Sequence, residues 1–282
     1  MSTTAHTLLP ASAATGRLAA AWRRFRVSCI YWWRFGRGPD LDRPRRFTEW
    51  TQWRKLYDRS HSLAMLTDKL HAKLHFEAIA GPGLAVPTLW SGTILPIDPP
   101  APLPLIVKAN HGCNQYLVVR CPSDWQRARA ASAAWMRGTY GEWLDEHAYR
   151  AARRLILVEP FLGGEGAPLP IDYKVYVFGG RAQMIQIHEA RATKRCWTQY
   201  DRDWTRIGGA DSAAVQPVNM VEMFRIAEAC AVGTDFLRVD FYEVDGRLWF
   251  GEYCLYPGSG LDPFVPDSLD LLLGEYWSDA RI

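Results

Sequence analysis

The chain lacks any run approaching the roughly 20 apolar residues that a bilayer-crossing helix needs. It also lacks a CxxC pair or a His/Cys group at zinc spacing. Its six cysteines, Cys29, Cys113, Cys121, Cys196, Cys230 and Cys254, are widely scattered. They read as the reduced thiols of a cytoplasmic protein rather than as a disulfide framework. An excess of one charge is missing too: 33 Lys and Arg stand against 30 Asp and Glu, a net +3. That balance leaves no electrostatic footprint for a nucleic-acid partner. No internal repeat or low-complexity tract is present, and the N terminus lacks the uninterrupted apolar stretch and small-residue cleavage site of a signal peptide.

What is there is globular material: 282 residues, 48% hydrophobic and 22% charged, enough for a sizeable core and two compact lobes. Residues 1–16 are small and polar and are expected to be disordered. Residues 17–46 are rich in arginine and aromatics, with acids only at Asp40 and Asp42. A basic helix carrying Trp22, Phe25, Tyr31, Trp32 and Trp33 admits two readings. Either it packs its aromatics on the body, or it makes peripheral contact with an anionic membrane at its inner face. Helices are expected over Phe47–Tyr57 and Ser62–Ile79, a strand over Leu84–Trp90, and a stiff connector over the proline-rich Leu95–Pro104. These features divide the chain into 1–46, 47–104, 105–163 and 164–282.

The densest signal is Phe236–Gly260, two aromatic-rich runs around Asp245-Gly246, a hairpin signature. Arg238, Asp240 and Glu252 interrupt these runs, and ionised groups in buried strands need ion pairs or a metal. A two-residue turn at Asp245-Gly246 would pair Asp240 with Gly251 and send Glu252 to the other face. A three-residue loop, Val244-Asp245-Gly246, pairs Arg238 with Glu252 and sets the two carboxylates diagonally, roughly 5–8 Å apart. The three-residue loop is the expectation, because that spacing suits two hard oxygen ligands of Mg²⁺. The competing reading is an Arg238–Glu252 ion pair with Asp240 solvated at a sheet edge.

Upstream, Leu105–Val107 reads as a strand ending in Lys108, and Tyr116–Val119 as its partner. The turn between them, Ala109–Gln115, holds Asn110, His111, Gly112 and Asn114. A lysine there can bring an ammonium and backbone N–H groups to a phosphate, or merely cap a hairpin. Ser123–Gly138 and Glu142–Arg154 are helix candidates, and Leu155–Leu162 is a strand with Glu159 late in it. A second hairpin turns at Gly179-Gly180, with Asp172 and Lys174 sharing one face and His188, Glu189 and Arg191 on the return. Asp201–Trp204 reads as loop, Val218–Val232 as helix and Asp267–Leu273 as a closing helix.

In this order the pieces resemble the ATP-grasp superfamily, and more narrowly the TupA-like ATP-grasp proteins of bacterial polysaccharide and teichuronopeptide synthesis. The resemblance runs from about Phe47 to Trp277. It is carried by TDK at Thr67–Lys69, VPTLW at Val86–Trp90, VKANHG at Val107–Gly112 and YGEW at Tyr140–Trp143. It continues through DYKVYVFGG at Asp172–Gly180, LRVDFYEVDGRLWFGEY at Leu237–Tyr253 and PGSG at Pro257–Gly260. It implies an α+β ATP-grasp fold, two α+β lobes clasping ATP behind a helical and α/β N-terminal subdomain.

The resemblance also implies roles. Lys108, with His111 and Gly112 in the loop over it, would bind nucleotide phosphates, and Lys174 would reach back to them. Glu159, Phe161 and Leu162 would meet adenine and ribose. Asp240 and Glu252 would hold Mg²⁺, Arg238 would stabilise the transferring phosphoryl group, and Arg191 and Arg195 would anchor an anionic substrate. The implied activity is an ADP-forming ligase that joins a small-molecule carboxylate to an amine through an acylphosphate, with a glycan precursor as candidate substrate. Two other readings are phosphoryl transfer to a hydroxyl and a nucleotide-binding membrane scaffold. The sequence departs from the family pattern twice. Cys254 stands where an asparagine is usual, and the loop reads His111-Gly112-Cys113-Asn114 where HGSG is closer to the pattern.

Overall fold

The computed structural model describes residues 11–191, 194–210 and 214–281, and their side chains except at 11–15, 189–191 and 194–196. Helix α1, Ala11–Phe35, begins inside the stretch expected to be disordered. Alanines at 11, 13 and 14 favour helix, and nothing before Gly16 opposes it. The expectation for residues 1–10 lies outside the described residues. Among the described residues no helix is long and apolar enough to cross a membrane.

Helix α2, Phe47–Tyr57, forms as expected. The expected helix over 62–79 is two, α3 at His61–Met65 and α4 at Lys69–Ala80. The break comes at Asp68, whose carboxylate caps α4 by accepting from His71 N–H at 2.9 Å while its other bonds hold Arg153. The expected strand over 84–90 is displaced: β1 is Trp90–Gly92, and Ala85 makes only an isolated bridge to Phe250.

Strands β2 (Leu105–Ala109) and β3 (Tyr116–Val119), helix α5 (Pro122–Trp135) and strand β4 (Ile156–Pro160) follow. The helix expected over 142–154 is absent; turns and one 3₁₀ segment at His147–Ala151 stand there instead. Asp145 takes φ +58°, which ends any α-helix at that point. The strands pair antiparallel in the order β1-β4-β2-β3.

The second sheet comprises β5 (Asp172–Phe178), β6 (Arg181–Arg191), β7 (Lys194–Tyr200), β8 (Arg206–Gly209), β9 (Phe236–Val244) and β10 (Arg247–Cys254). Its order is β10-β9-β5-β6-β7-β8, again antiparallel. Helix α6, Met220–Cys230, lies between β8 and β9 in sequence, and α7, Asp267–Asp279, runs six residues beyond the expected helix end.

Alternation gives this sheet two different faces. Val175, Val177, Leu237, Val239 and Phe241 face a core with Phe76 of α4 and Met223 and Ala227 of α6. The opposite face changes character along its strands. At one end Tyr176, Phe178 and Phe236 join Phe47, Trp50 and Trp277 in an aromatic cluster beneath α2 and α7. At the other end the same parity delivers Asp172, Lys174, Arg238 and Asp240. One sheet face is therefore core at one end and a charged cleft at the other.

Candidate functional site

The charged end is ordered by strand register. Lys174 stands opposite Asp240 on β9 and opposite Gln186 on β6, and Tyr176 stands opposite Arg238. Arg238 grips Asp240 with two bonds, Nε to Oδ1 at 2.7 Å and Nη2 to Oδ2 at 2.6 Å. Lys174 donates to Asp240 Oδ2 at 2.8 Å and also to Asp172. Burial alone would raise the Asp240 pKa, but Arg238 and Lys174 hold it below the ordinary carboxylate range. Burial likewise disfavours the Lys174 ammonium, yet Asp172 and Asp240 outweigh it and raise its pKa. Both groups are charged in the folded chain.

The hairpin corrects the expected loop. Arg247 pairs with Val244, so the turn has two residues, Asp245 and Gly246, at φ +52° and +71°. Both left-handed angles suit Asp-Gly and match the twist of the flanking strands, which a longer loop would not improve. That register alone would have sent Glu252 to the far face. A bulge between Phe250 and Glu252 restores it: Glu252 stands opposite Asp240, and Cys254 opposite Arg238. The extra residue is Gly251, where a Cβ would sit 3.1 Å from Asp240 O and 3.2 Å from the Tyr242 ring. The carboxylates share a face, directly opposed rather than diagonal.

The competing ion-pair reading is also corrected. Arg238 pairs with Asp240, which is buried, and Glu252 accepts from Lys69 Nζ at 2.6 Å. Burial raises the Glu252 pKa, but Lys69 outweighs it and the net shift is downward. Lys69 opens α4, a helix that supplied no site residue in the sequence reading. Its only signal was membership of the TDK motif.

The four-stranded sheet contributes a second ionic group. Glu159 is buried between two lysines: Lys108 Nζ lies 2.6 Å from Oε2, and Lys73 Nζ holds Oε1 while also donating to Thr88 Oγ1 at 2.8 Å. Burial pushes Glu159 up, but the two lysines bring it below its usual range. The Ala109–Gln115 turn is fixed at Asn110, whose Oδ1 accepts from Leu70 N–H at 3.0 Å and whose Nδ2 donates to Arg153 O at 2.8 Å.

A cavity of about 640 Å³ lies between these groups, within the size range of small-molecule sites. Lys108, Gly112, Glu159, Phe161 and Leu162 line it from one side. Lys174, Arg238 and Glu252 line it from the other, with Lys69 between. Two expected residues stand back from it. Asp240 lies beneath Arg238 and Lys174, and His111 is buried with Nε2 3.2 Å from Trp135 O. Arg191 lies in β6 opposite Lys194, and its side chain, like that of Arg195, is outside the described residues.

Among the described residues, Gln115 Oε1, Asp172 Oδ1, Trp197 Nε1 and Gln199 Oε1 are buried polar atoms without partners, and all four residues line this cavity. Buried polar atoms are ordinarily satisfied, so these four are open to water or to a polar occupant. Trp197 stacks on His188 at 5.2 Å, and Gln186 Nε2 donates to His188 Nε2 at 2.7 Å. The sequence reading missed Trp197 and Gln199 because β7 itself went unrecognised. Behind Ser259, which lines the far wall, buried Lys55 donates to Ser259 Oγ and O, each at 2.6 Å. Burial pulls its pKa down to about 8, against the upward pull of Glu146 and Asp145.

Asp240 and Glu252 fit a hard divalent cation in donor type and stand opposed across two strands, although only Glu252 lines the cavity. Among the described residues no group of three His, Cys, Asp or Glu gathers for such an ion. Cys254, with a buried thiol whose pKa is raised, is a poor third ligand. Both Asp240 oxygens and Glu252 Oε2 are held by Arg238, Lys174 and Lys69, so a cation would displace the Lys174 and Lys69 ammonium groups or the Arg238 guanidinium.

The sequence profile of the TupA-like ATP-grasp proteins matches residues 49–278. Comparison with curated proteins gives no match. Solved structures similar to this chain include D-alanine–D-alanine ligase from Bacillus anthracis, 14% identical with a TM-score of 0.47. That match covers 77% of this chain and 65% of the ligase, so the chain spans slightly less than two thirds of its length. The D-alanine–D-alanine ligase from Helicobacter pylori is 11% identical with a TM-score of 0.47, covering 84% of this chain and 67% of that one. An L-amino acid ligase from Bacillus licheniformis is 12% identical at a TM-score of 0.47, covering 70% and 44% respectively.

Proposed function

The chain belongs to the TupA-like ATP-grasp family, and from that premise we propose that it is an ATP-dependent ligase joining a carboxylate to an amine. The observation that carries this reading is a cavity flanked by two ionic groups, Lys108–Glu159–Lys73 and Lys69–Glu252 with Arg238–Asp240–Lys174. Phosphoryl transfer asks of a protein mainly positioning and charge neutralisation, and these side chains supply both.

In the proposed reaction the substrate carboxylate attacks the γ-phosphoryl group of ATP, forming an acylphosphate and releasing ADP. The amine then attacks the acyl carbon, phosphate leaves, and the amine gives up a proton. Lys108 and Lys174 hold the phosphates, and Glu159, Phe161 and Leu162 meet the nucleoside. Arg238 faces the charge that grows on the transferred group and on the tetrahedral intermediate. Asp240 and Glu252 would hold Mg²⁺, whose contribution when bound is neutralisation of phosphate charge. Residues 105–163 and 164–282 act as the two lobes, excluding water from the acylphosphate.

The substrates are polar small molecules, with a cell-surface glycan precursor as the class favoured by family membership. The unpartnered Asp172 Oδ1 and Trp197 Nε1 support it, since together they ask for a ligand with both donors and acceptors. Trapping with hydroxylamine tests the chemistry directly. An acylphosphate yields a hydroxamate together with ADP when the right acid is supplied without its amine. ADP release with a phosphorylated product inert to hydroxylamine would instead mean transfer to a hydroxyl.

A further inference from the structure

Helix α1 is seated by one narrow face. Val27 packs with Leu41 and Leu56, and the Tyr31 hydroxyl meets Thr48 Oγ1 at 2.9 Å. Arg24 adds an ion pair to Asp42, and Arg26 one to Asp145. Among the described residues the other side of the helix has no such cover. Trp22 is 61% exposed, Phe25 59%, Trp32 61% and Trp33 81%, with Leu18 and Cys29 exposed beside them.

These six side chains are not scattered. At about 100° per residue they fall within an arc of about 100°, centred opposite Val27 and Tyr31. Arg26 borders that arc on one side and Arg17 lies somewhat beyond it on the other, while exposed Arg23 turns further round towards the Val27 side. No acidic residue occurs before Asp40, while six arginines do: 17, 23, 24, 26, 34 and 37. An apolar stripe of this kind on a solvent-facing helix marks an interaction surface.

We propose that this face of α1 docks on an anionic lipid bilayer, the helix lying in the interfacial plane. Charge chooses the occupant. A second copy would bring two acid-free helices of like charge together, whereas anionic headgroups neutralise the arginines while the aromatic rings enter the headgroup boundary. Arg26 also bonds Glu142 O, in the turn that carries exposed Trp143. Tyr140, Leu144 and Glu146 of the same stretch line the cavity, so a docked bilayer would lie beside its rim. The inference does not rest on the ligase reading.

Flotation of the full chain with vesicles tests it. The chain is expected to float with three parts phosphatidylcholine to one part phosphatidylglycerol, to float far less with phosphatidylcholine alone, and to detach in high salt. A basic side chain near such a surface contributes about 1 kcal/mol, or about fivefold. Arg17→Glu with Arg23→Glu should therefore lower the vesicle partition coefficient at least tenfold. Trp22→Ser, Trp32→Ser and Trp33→Ser together should do the same at unchanged melting temperature. No flotation, equal flotation with neutral vesicles, or variants that float like the parent would overturn the proposal. So would a lipid-free dimer abolished by the tryptophan variant, which would assign the face to a second copy.

Discussion

Lys69 and Glu252 stand 183 positions apart, yet the lysine Nζ lies 2.6 Å from Glu252 Oε2. The pair ties α4 to the β9–β10 hairpin across the cavity and occupies one oxygen of a proposed metal ligand. Lys69 thus supplies the positive charge that a divalent cation would bring.

Lys69→Met should uncouple these roles. Glu252 is partly exposed, so the loss of stability should be about 1–3 kcal/mol, less than for a fully buried pair. In the nucleotide-bound protein, Mg²⁺ should restore more stability to this variant than to the parent. Melting curves with ATP, with and without Mg²⁺, check both statements; an unchanged Mg²⁺ increment would contradict the exchange of ammonium for metal.

Asp240→Asn should be far more damaging than Glu252→Gln. Asp240 is the common partner of Arg238 and Lys174, and its neutralisation leaves buried Arg238 uncompensated and Lys174 with Asp172 alone, at a cost of about 3–5 kcal/mol. Urea unfolding midpoints of the two variants give the comparison. Equal midpoints would mean that Asp240 carries no such charge.

Lys55 sets an alkaline signature. Its pKa is about 8 in the fold against 10.5 in the open chain, so between those values the unfolded state binds more protons. Stability then rises with pH across that window. Below pH 8 the cost of the buried ammonium is present in full; above 10.5 it is gone. The span corresponds to a gain on the order of 3 kcal/mol, at 1.36 kcal/mol per unit. Lys55→Met should flatten the profile between pH 8 and 10.5, measured by urea unfolding at each pH.

Sequence logic reached different depths in different places. Alternation was enough to place Asp172 with Lys174 on one face of DYKVYVF and Arg238 with Asp240 on one face of FLRVDFYEV, because side-chain parity depends on the strand alone; that the two faces coincide follows from the β5–β9 register. The same parity argument failed at the turn: Asp245-Gly246 takes the two-residue geometry, and the bulge at Gly251 supplied the correction that a longer loop was expected to supply. A bulge leaves little local mark beyond a glycine. Lys69, Trp197 and Gln199 were not legible as site residues because their meeting depends on packing between distant elements. The aromatic pattern of α1 left open whether its rings face the body; of Trp22, Phe25, Tyr31, Trp32 and Trp33 only Tyr31 is buried.

The central claim is a nucleotide site between Lys108 and Glu252, and thermal unfolding with Mg·ATP tests it most directly. Ligand at about a hundred times its dissociation constant adds about 2.7 kcal/mol. At roughly 2–4 °C per kcal/mol, the midpoint should rise by roughly 5–10 °C. Lys108→Ala and Glu252→Gln should each blunt that rise, and omission of Mg²⁺ should reduce it. No rise at saturating Mg·ATP, or the same rise in both variants, would contradict the account.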